Sequence, residues 1–355
     1  MAELAPGRRG PLTVGMTSFE SWKPRLLALC DELRTRTHAA LCAAEAAGRL
    51  GELARPHGEG VGDVTFALDL PSEEHIARWS ETIARREPLS VLTEDTGWRH
   101  LGPDGRGGAR QLADFDHGGP RLVFDPIDGT RNLMADLRSA WTVVGFAPPG
   151  AHPPRMADCS GGIVSELPGT LAGAFRRITS DGRTTRLERL ELASARPLAP
   201  EQRLVVDADA RADHGYFPFF RYQPAQRPAL ARLEAAFAAR LVRHEGADAR
   251  SLYDDQYISS AGQLVLLALG RYRLLIDARA LVAQRLGIPG PTSKPYDLAG
   301  ALVCARAAGV RVCALEGGEL DFPLDATTPV GFAAFVNEPT RARLEPHWHA
   351  ALSEL

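Results

Sequence analysis

Residues 124–133 read FDPIDGTRNL. Asp125 and Asp128 stand three apart with a proline between them, and a Gly-Thr pair follows at once. Glu94 and Asp297 each adjoin a short apolar run as well. Carboxylates gathered at strand ends repel one another unless something positive intervenes. No pattern of Lys or Arg near these four would pair them all. A hard divalent cation would do so: Mg²⁺ takes oxygen ligands and keeps positions for water and substrate phosphate. If Pro126-Ile127 forms a tight turn, Asp125 and Asp128 share one site and the Ile127 carbonyl faces it. Gly129 lets the chain pass close to a ligand. A helix starting at Thr130 would offer its unused amides to a phosphate oxygen. The competing reading of an isolated Asp-x-x-Asp is a turn with a helix cap. Capping competes at Asp69 and Asp297 too, and Glu73 divides between a helix surface and support of a site.

Elements must hold these groups. Helical spacing of apolar residues over 24–54 predicts a long helix or a helix pair, broken by Gly60-Val61-Gly62. A strand is expected over 64–70, and a helix capped by Ser72 with Ile76, Trp79 and Ile83 on its apolar face. Residues 89–92 read as a strand running into Thr93-Glu94-Asp95, and 101–120, rich in Gly and Asp, as a surface loop. Residues 122–124 lead as a strand into DPIDGT, and 141–146 form a further, central strand. Pro148 to Pro154 suggests a boundary. Beyond it come strands over 162–164, 171–175, 204–207, 273–277 and 310–314, and helices over 228–243, 255–269 and 298–308. Residues 281–295, with three prolines, read as a loop. The organisation expected is an arm over 1–20, an α+β domain over 21–155 carrying most of the acidic residues, and an α/β domain over 156–355 carrying Asp297.

The chain has 355 residues and a formal net charge of -3, so nothing favours a nucleic-acid polymer or a membrane as partner. An apolar fraction of 45% and a charged fraction of 24% fit a soluble globular protein. There are five cysteines, scattered and without a Cys-x-x-Cys pair, which points to free thiols and a cytoplasmic location rather than a disulfide scaffold or zinc site.

The motif at 124–133 resembles the signature of the inositol monophosphatase family, within the wider superfamily that includes the fructose bisphosphatases. Other segments follow in the family's order. Residues 63–69 (DVTFALD) followed by Glu73 resemble an early VTxxD segment, and 93–95 (TED) a GEE or GED segment. Residues 260–263 (SAGQ) are similar to a small-residue helix start, and 296–300 (YDLAG) to a late WDxAAG segment with Tyr for Trp. The resemblance implies a layered αβαβα sandwich, α+β or α/β in class. It implies Mg²⁺-dependent hydrolysis of a small phosphorylated metabolite (an inositol, sugar or related polyol phosphate), with two to three ions per site. Glu94, Asp125 and the Ile127 carbonyl would hold a first ion, and Asp125, Asp128 and Asp297 a second. Asp69, with Glu94 through waters, would lie near a third. Glu94 and Thr130 would orient and activate the attacking water, and the Gly129 and Thr130 amides would grip the phosphate. Relatives are often homodimers. Rival expectations are activity on fructose 1,6-bisphosphate or 3'-phosphoadenosine 5'-phosphate, or binding without catalysis.

The chain departs from that pattern at the substrate end. The family's glutamate seven residues before the late aspartate is Gly290 here, and residues 278–291 look like an inserted loop. Counting across that insertion makes Asp277 the replacement for this glutamate. Arg279 and Lys294 are candidates for a second anionic group of the substrate, with solvated loop charges as the alternative.

Overall fold

The computed structural model describes residues 18–59 and 64–355. Most of the expected arm, residues 1–17, and the glycine break at 60–62 lie outside the described residues. Ser18 already caps the first helix, accepting a hydrogen bond from the Ser21 amide at 3.4 Å.

Five layers stack on one another. Helices Phe19–Ala46 and Leu70–Ala84 form the first. Phe19, Trp22, Leu26, Leu29 and Leu33 repeat at helical spacing and bury, with Ile76, against Leu122, Phe124 and Phe146 of a sheet. That nine-stranded sheet is the second layer. Its order is Gln202–Leu204, Thr185–Glu191, Ala174–Ser180, Gly161–Leu167, Ala140–Ala147, Arg121–Asp128, Leu89–Thr93, Gly97–Pro103 and Ala109–Gln111. Neighbours are antiparallel except Leu89–Thr93 beside Arg121–Asp128. Strand Ala140–Ala147 is central, fifth of the nine. The sheet continues unbroken across residue 155, since Ala140–Ala147 pairs with Gly161–Leu167.

Helices Ser260–Ala268 and Pro295–Ala308 form the middle layer and are rich in apolar residues buried on both faces. The fourth layer is a three-stranded antiparallel sheet of Leu274–Asp277, Phe332–Phe335 and Arg311–Cys313. Its residues alternate: Leu275 and Ala334 face the middle helices, while Leu274, Ile276 and Phe335 face the outer ones. Helices Arg227–Arg240, Arg279–Leu286 and Glu338–Leu352 cover it as the fifth layer. This is the αβαβα sandwich. The five cysteines are free, and no helix among the described residues is long and apolar enough to cross a membrane.

Close approach fixes the middle layer against the large sheet. A Cβ on Gly300 would stand 2.2 Å from the Val144 carbonyl oxygen, and one on Gly162 would stand 2.3 Å from the Gly300 carbonyl oxygen. Only glycine at both places lets the helix lie directly on the strands. Asp297, one turn earlier on that helix, is thereby seated beside the strand ends.

Several boundaries differ from expectation for physical reasons. Residues 101–120 are not all loop. Gly97–Pro103 and Ala109–Gln111 make a hairpin, and the Gly-rich stretch between is its turn, where Asp104 accepts from the Arg106 and Gly108 amides. The strand expected at 171–175 is Ala174–Ser180, and Leu171 is 98% exposed. Helix 255–269 begins only at Ser260, because Ser259 caps it through the Gly262 amide at 2.9 Å. The 281–295 loop contains helix Arg279–Leu286, ended by Gly287 at φ +64°. Helix Leu70–Ala84 starts after Asp69, not at Ser72.

Candidate active site

In a regular strand, residues three apart point to opposite faces. Asp125 and Asp128 escape that rule because the strand is bulged. Asp125 pairs with Val143 and Asp128 with Trp141, so Pro126 and Ile127 together oppose the single residue Thr142. The extra residue turns both carboxylates to one side. Proline is tolerated at a bulge because it has no ladder amide to lose. The Thr142 hydroxyl stitches the bulge to the Pro126 carbonyl at 2.9 Å, and the Ile127 amide donates to Asp125 Oδ1 at 2.9 Å. Gly129 then turns the chain at φ +101°, where a Cβ would press on Ser259 Cβ at 3.0 Å and the Ile258 carbonyl at 3.2 Å. A single helical turn, Thr130–Leu133, follows.

Glu94 arrives from the neighbouring parallel strand. Leu92 is paired with Val123, so two residues further on Glu94 comes alongside Asp125. One cleft gathers Asp69, Glu94, Asp125, Ile127, Asp128, Gly129, Thr130 and Asp297. Arg279, Phe220 and Tyr222 line it as well.

Most of these carboxylates are held by neutral donors. Asp128 is docked on the start of helix Ser260–Ala268, accepting from Ser259 Oγ at 2.6 Å, the Ala261 amide at 2.7 Å and the Ser260 amide at 3.1 Å. Asp69 accepts from the Phe66 amide at 2.9 Å and from Thr130 Oγ1 at 2.8 Å. Thr130 Oγ1 also stands 2.8 Å from the Ile127 carbonyl. Asp297 accepts from the Lys294 amide at 2.9 Å, so it caps its helix and lines the cleft together.

Charge accumulates accordingly. Burial, then the charges of Asp297, Asp128 and Glu94, push Asp125 well above the ordinary carboxylate range. Burial raises Asp128 to about 6 despite its three hydrogen bonds, and Asp69 to about 6 against the bonds from Phe66 and Thr130. Glu73 lies elsewhere, lining an apolar cavity behind strand Leu89–Thr93, where burial lifts it to about 8. Among the described residues, no three His, Cys, Asp or Glu side chains close on one point as a complete metal cage would.

At the substrate end two expectations change. Asp277 does not reach the cleft. It is 0% exposed, and its oxygens take Arg279 Nε at 2.8 Å, Arg279 Nη2 at 2.7 Å and Ser293 Oγ at 2.7 Å. A buried carboxylate two residues from a buried arginine pairs with it in preference to facing water. Lys294 lies in an adjoining cleft with Arg131, donating from Nζ to the Thr327 carbonyl at 2.9 Å. Arg279 does line the main cleft, its guanidinium 3.7 Å from the centre of the Phe220 ring. The sequence reading missed Ser259 as the holder of Asp128, although a serine before an apolar run is a cap signal. It also missed Phe220 and Tyr222, which no local pattern marks.

No family model matches the chain, and none of the curated proteins does. Solved structures do. Fructose-1,6-bisphosphatase of Leishmania major in holo form is 11% identical, with a TM-score of 0.63 over 95% of this chain and 99% of that one. The Thermotoga maritima inositol monophosphatase is 14% identical, with a TM-score of 0.54 over 93% and 99%. A staphylococcal inositol monophosphatase II with 2'-AMP bound is 16% identical, with a TM-score of 0.53 over 94% and 98%. At such identities the likeness is one of architecture, and the chain has the fold of the inositol monophosphatases and fructose-1,6-bisphosphatases.

Proposed function

We propose that this chain is a Mg²⁺-dependent phosphomonoesterase that hydrolyses a small phosphorylated metabolite with activated water. The observation that carries the reading is the cleft: five carboxylates line it beside the Gly129–Thr130 turn, and Asp125 is pushed up by burial and then by three of its neighbours. Carboxylates buried together raise one another's pKa, and such clusters gather at functional clefts.

The donor set fits Mg²⁺. It is all oxygen, the ligand type that Mg²⁺ prefers, with positions left for water and substrate phosphate. Glu94, Asp125 and the Ile127 carbonyl would hold one ion, and Asp125, Asp128 and Asp297 another, with Asp69 near a third. A divalent cation bound there supplies activation of water near neutral pH and offsets charge on a phosphoryl group. The chain's own residues orient the reactants. The Thr130 hydroxyl, fixed between Asp69 and the Ile127 carbonyl, positions water together with Glu94. The first amides of the turn, at Gly129 and Thr130, have no helical acceptor and suit phosphate oxygens.

An inositol or sugar phosphate is the first reading of the substrate. A second is supported by the opposite wall, where Arg279, Phe220 and Tyr222 line the cleft. Aromatic rings beside a guanidinium suit a nucleotide-like phosphate, such as 3'-phosphoadenosine 5'-phosphate, or a bisphosphate such as fructose 1,6-bisphosphate. The test is free phosphate release over a panel of these compounds, with Mg²⁺ and with chelator. Turnover of one member that chelator abolishes supports the reading. Metal binding with no release from any member refutes activity on these compounds and leaves either a more specialised substrate or binding without catalysis.

A further inference from the structure

The carboxylates expected to share an ion, Asp128 and Asp297, belong to segments far apart in the chain. Asp128 is gripped by the Ser260 amide, and Asp297 accepts the Lys294 amide. Between these grips lies one hydroxyl. Ser293, next in the chain to Lys294, is 1% exposed and does not line the main cleft. Its Oγ stands 2.7 Å from Ser260 Oγ, 2.7 Å from Asp277 Oδ2 and 2.9 Å from Arg279 Nη2. The proton directions follow. Arg279 can only donate, and the Asp277 carboxylate can only accept. Ser293 therefore gives its single proton to Asp277, and Ser260 donates to Ser293.

The Asp277–Arg279 pair makes this node rigid. Arg279 grips Asp277 with Nε and Nη2, lies on Phe220, and donates through Nη1 to the Pro291 carbonyl at 3.2 Å. A paired arginine fork holds its partners in one geometry. The hydroxyl is thus fixed to the end of strand Leu274–Asp277 on one side and to the start of helix Ser260–Ala268 on the other.

We propose that Ser293 is a positioning residue for the metal site: by tying Ser260 to the segment that leads into Asp297, it sets the placement of Asp128 relative to Asp297. This rests on the metal-dependent reading above. It assigns Asp277, which does not line the cleft, a task in that site in place of contact with substrate. Groups bonded directly to metal ligands commonly change affinity by about 10–100-fold when lost, and Ser293 stands one residue further out, behind Ser260, so its loss should cost less than that range.

The experiment is Mn²⁺ binding to the full chain without substrate, followed by the electron paramagnetic resonance signal of the free ion, for wild type, Ser293→Ala, Ser260→Ala and the double variant. Thermal unfolding of each metal-free protein is measured alongside. The expected result is a Kd weakened about 3-fold in each single variant, below the range seen for direct partners of ligands. The double variant should bind no more weakly than Ser293→Ala alone, because that variant has already lost the Ser260–Ser293 bond. Metal-free Tm should stay close to wild type in Ser260→Ala, whereas Ser293→Ala, which also takes a bond from Asp277 and from Arg279, should melt lower. Wild-type affinity in both single variants overturns the proposal and leaves the metal reading standing. Losses that add in the double variant, or that merely track a fall in metal-free Tm, also overturn it. A wild type that binds no Mn²⁺ overturns the metal reading itself and this inference with it. Ser260→Ala keeps the test decisive if Ser293→Ala does not fold.

Discussion

Replacing Gly300 with alanine tests how the middle helix positions Asp297. The new Cβ would meet the Val144 carbonyl oxygen at 2.2 Å, its carbon at 2.6 Å and the Ile163 carbonyl oxygen at 3.1 Å. Ordinary contact begins at 3.4 Å, so the helix and sheet must separate by about 1 Å. The obstructing atoms are backbone of two central strands, which have no rotamer to yield. Overpacking of this kind costs about 1–3 kcal/mol, occasionally more. Alanine returns about 1 kcal/mol through helix propensity. The rigid backbone puts the packing cost at the upper end, so a net loss of about 2 kcal/mol is expected. Thermal unfolding would show it as a Tm lower by a few degrees. The functional effect should be larger than the stability effect, since misplacing a reacting group by about 1 Å can cost about 100-fold in rate. The assay is phosphate release against Mg²⁺ concentration, beside a melting curve. A variant with wild-type Tm and a wild-type Mg²⁺ requirement would refute both the packing argument and the placement of Asp297.

Two further outcomes follow from the electrostatics. Asp69 and Asp128 are raised from 3.8 to about 6, so between those values the folded chain holds protons that the unfolded chain has released. The metal-free protein should therefore lose stability as pH rises through that window, and the Tm gained on adding Mg²⁺ should be small near about pH 5 and large near about pH 7.5; equal gains at both would contradict it. Asp125→Asn should make the metal-free protein more stable near neutral pH, by removing a buried charge that three carboxylates repel, while phosphate release falls by about 100-fold or more; a variant that melts lower and turns over normally would reverse the reading.

The heart of the cleft was legible in the sequence because its signal is local: Asp125, Asp128, Gly129 and Thr130 sit within six residues, and the structure collects them in one cleft. The bulge that aligns the two aspartates was not legible, because its two-against-one register exists only relative to Thr142 on the partner strand. Five layers were expected and found. The hairpin of Gly97–Pro103 and Ala109–Gln111 was hidden by a Gly- and Asp-rich turn that dominates the local composition. Helix Arg279–Leu286 was hidden because its buried residues are Arg279 and Val282, so it shows no apolar stripe. Asp277 was placed by counting along the chain. Its true surroundings depend on Ser293, sixteen residues away, and counting cannot supply that contact.

The contrast between Asp277 and the cleft carboxylates separates two uses of buried negative charge. Asp277 meets a guanidinium in a two-pronged grip, so its charge is cancelled where it stands and it serves as a structural anchor. Asp69, Asp125 and Asp128 instead accept from amides and hydroxyls of Phe66, Thr130, Ile127, Ser259, Ser260 and Ala261. Neutral donors fix where an oxygen points but leave most of its charge available to a further partner. The fold meets the cost of the uncancelled charge elsewhere, in the apolar cores that press the first three layers together. Rigid, oriented and uncompensated carboxylates are what a small, strongly hydrated cation requires, because it must exchange some of its water for ligands already in place.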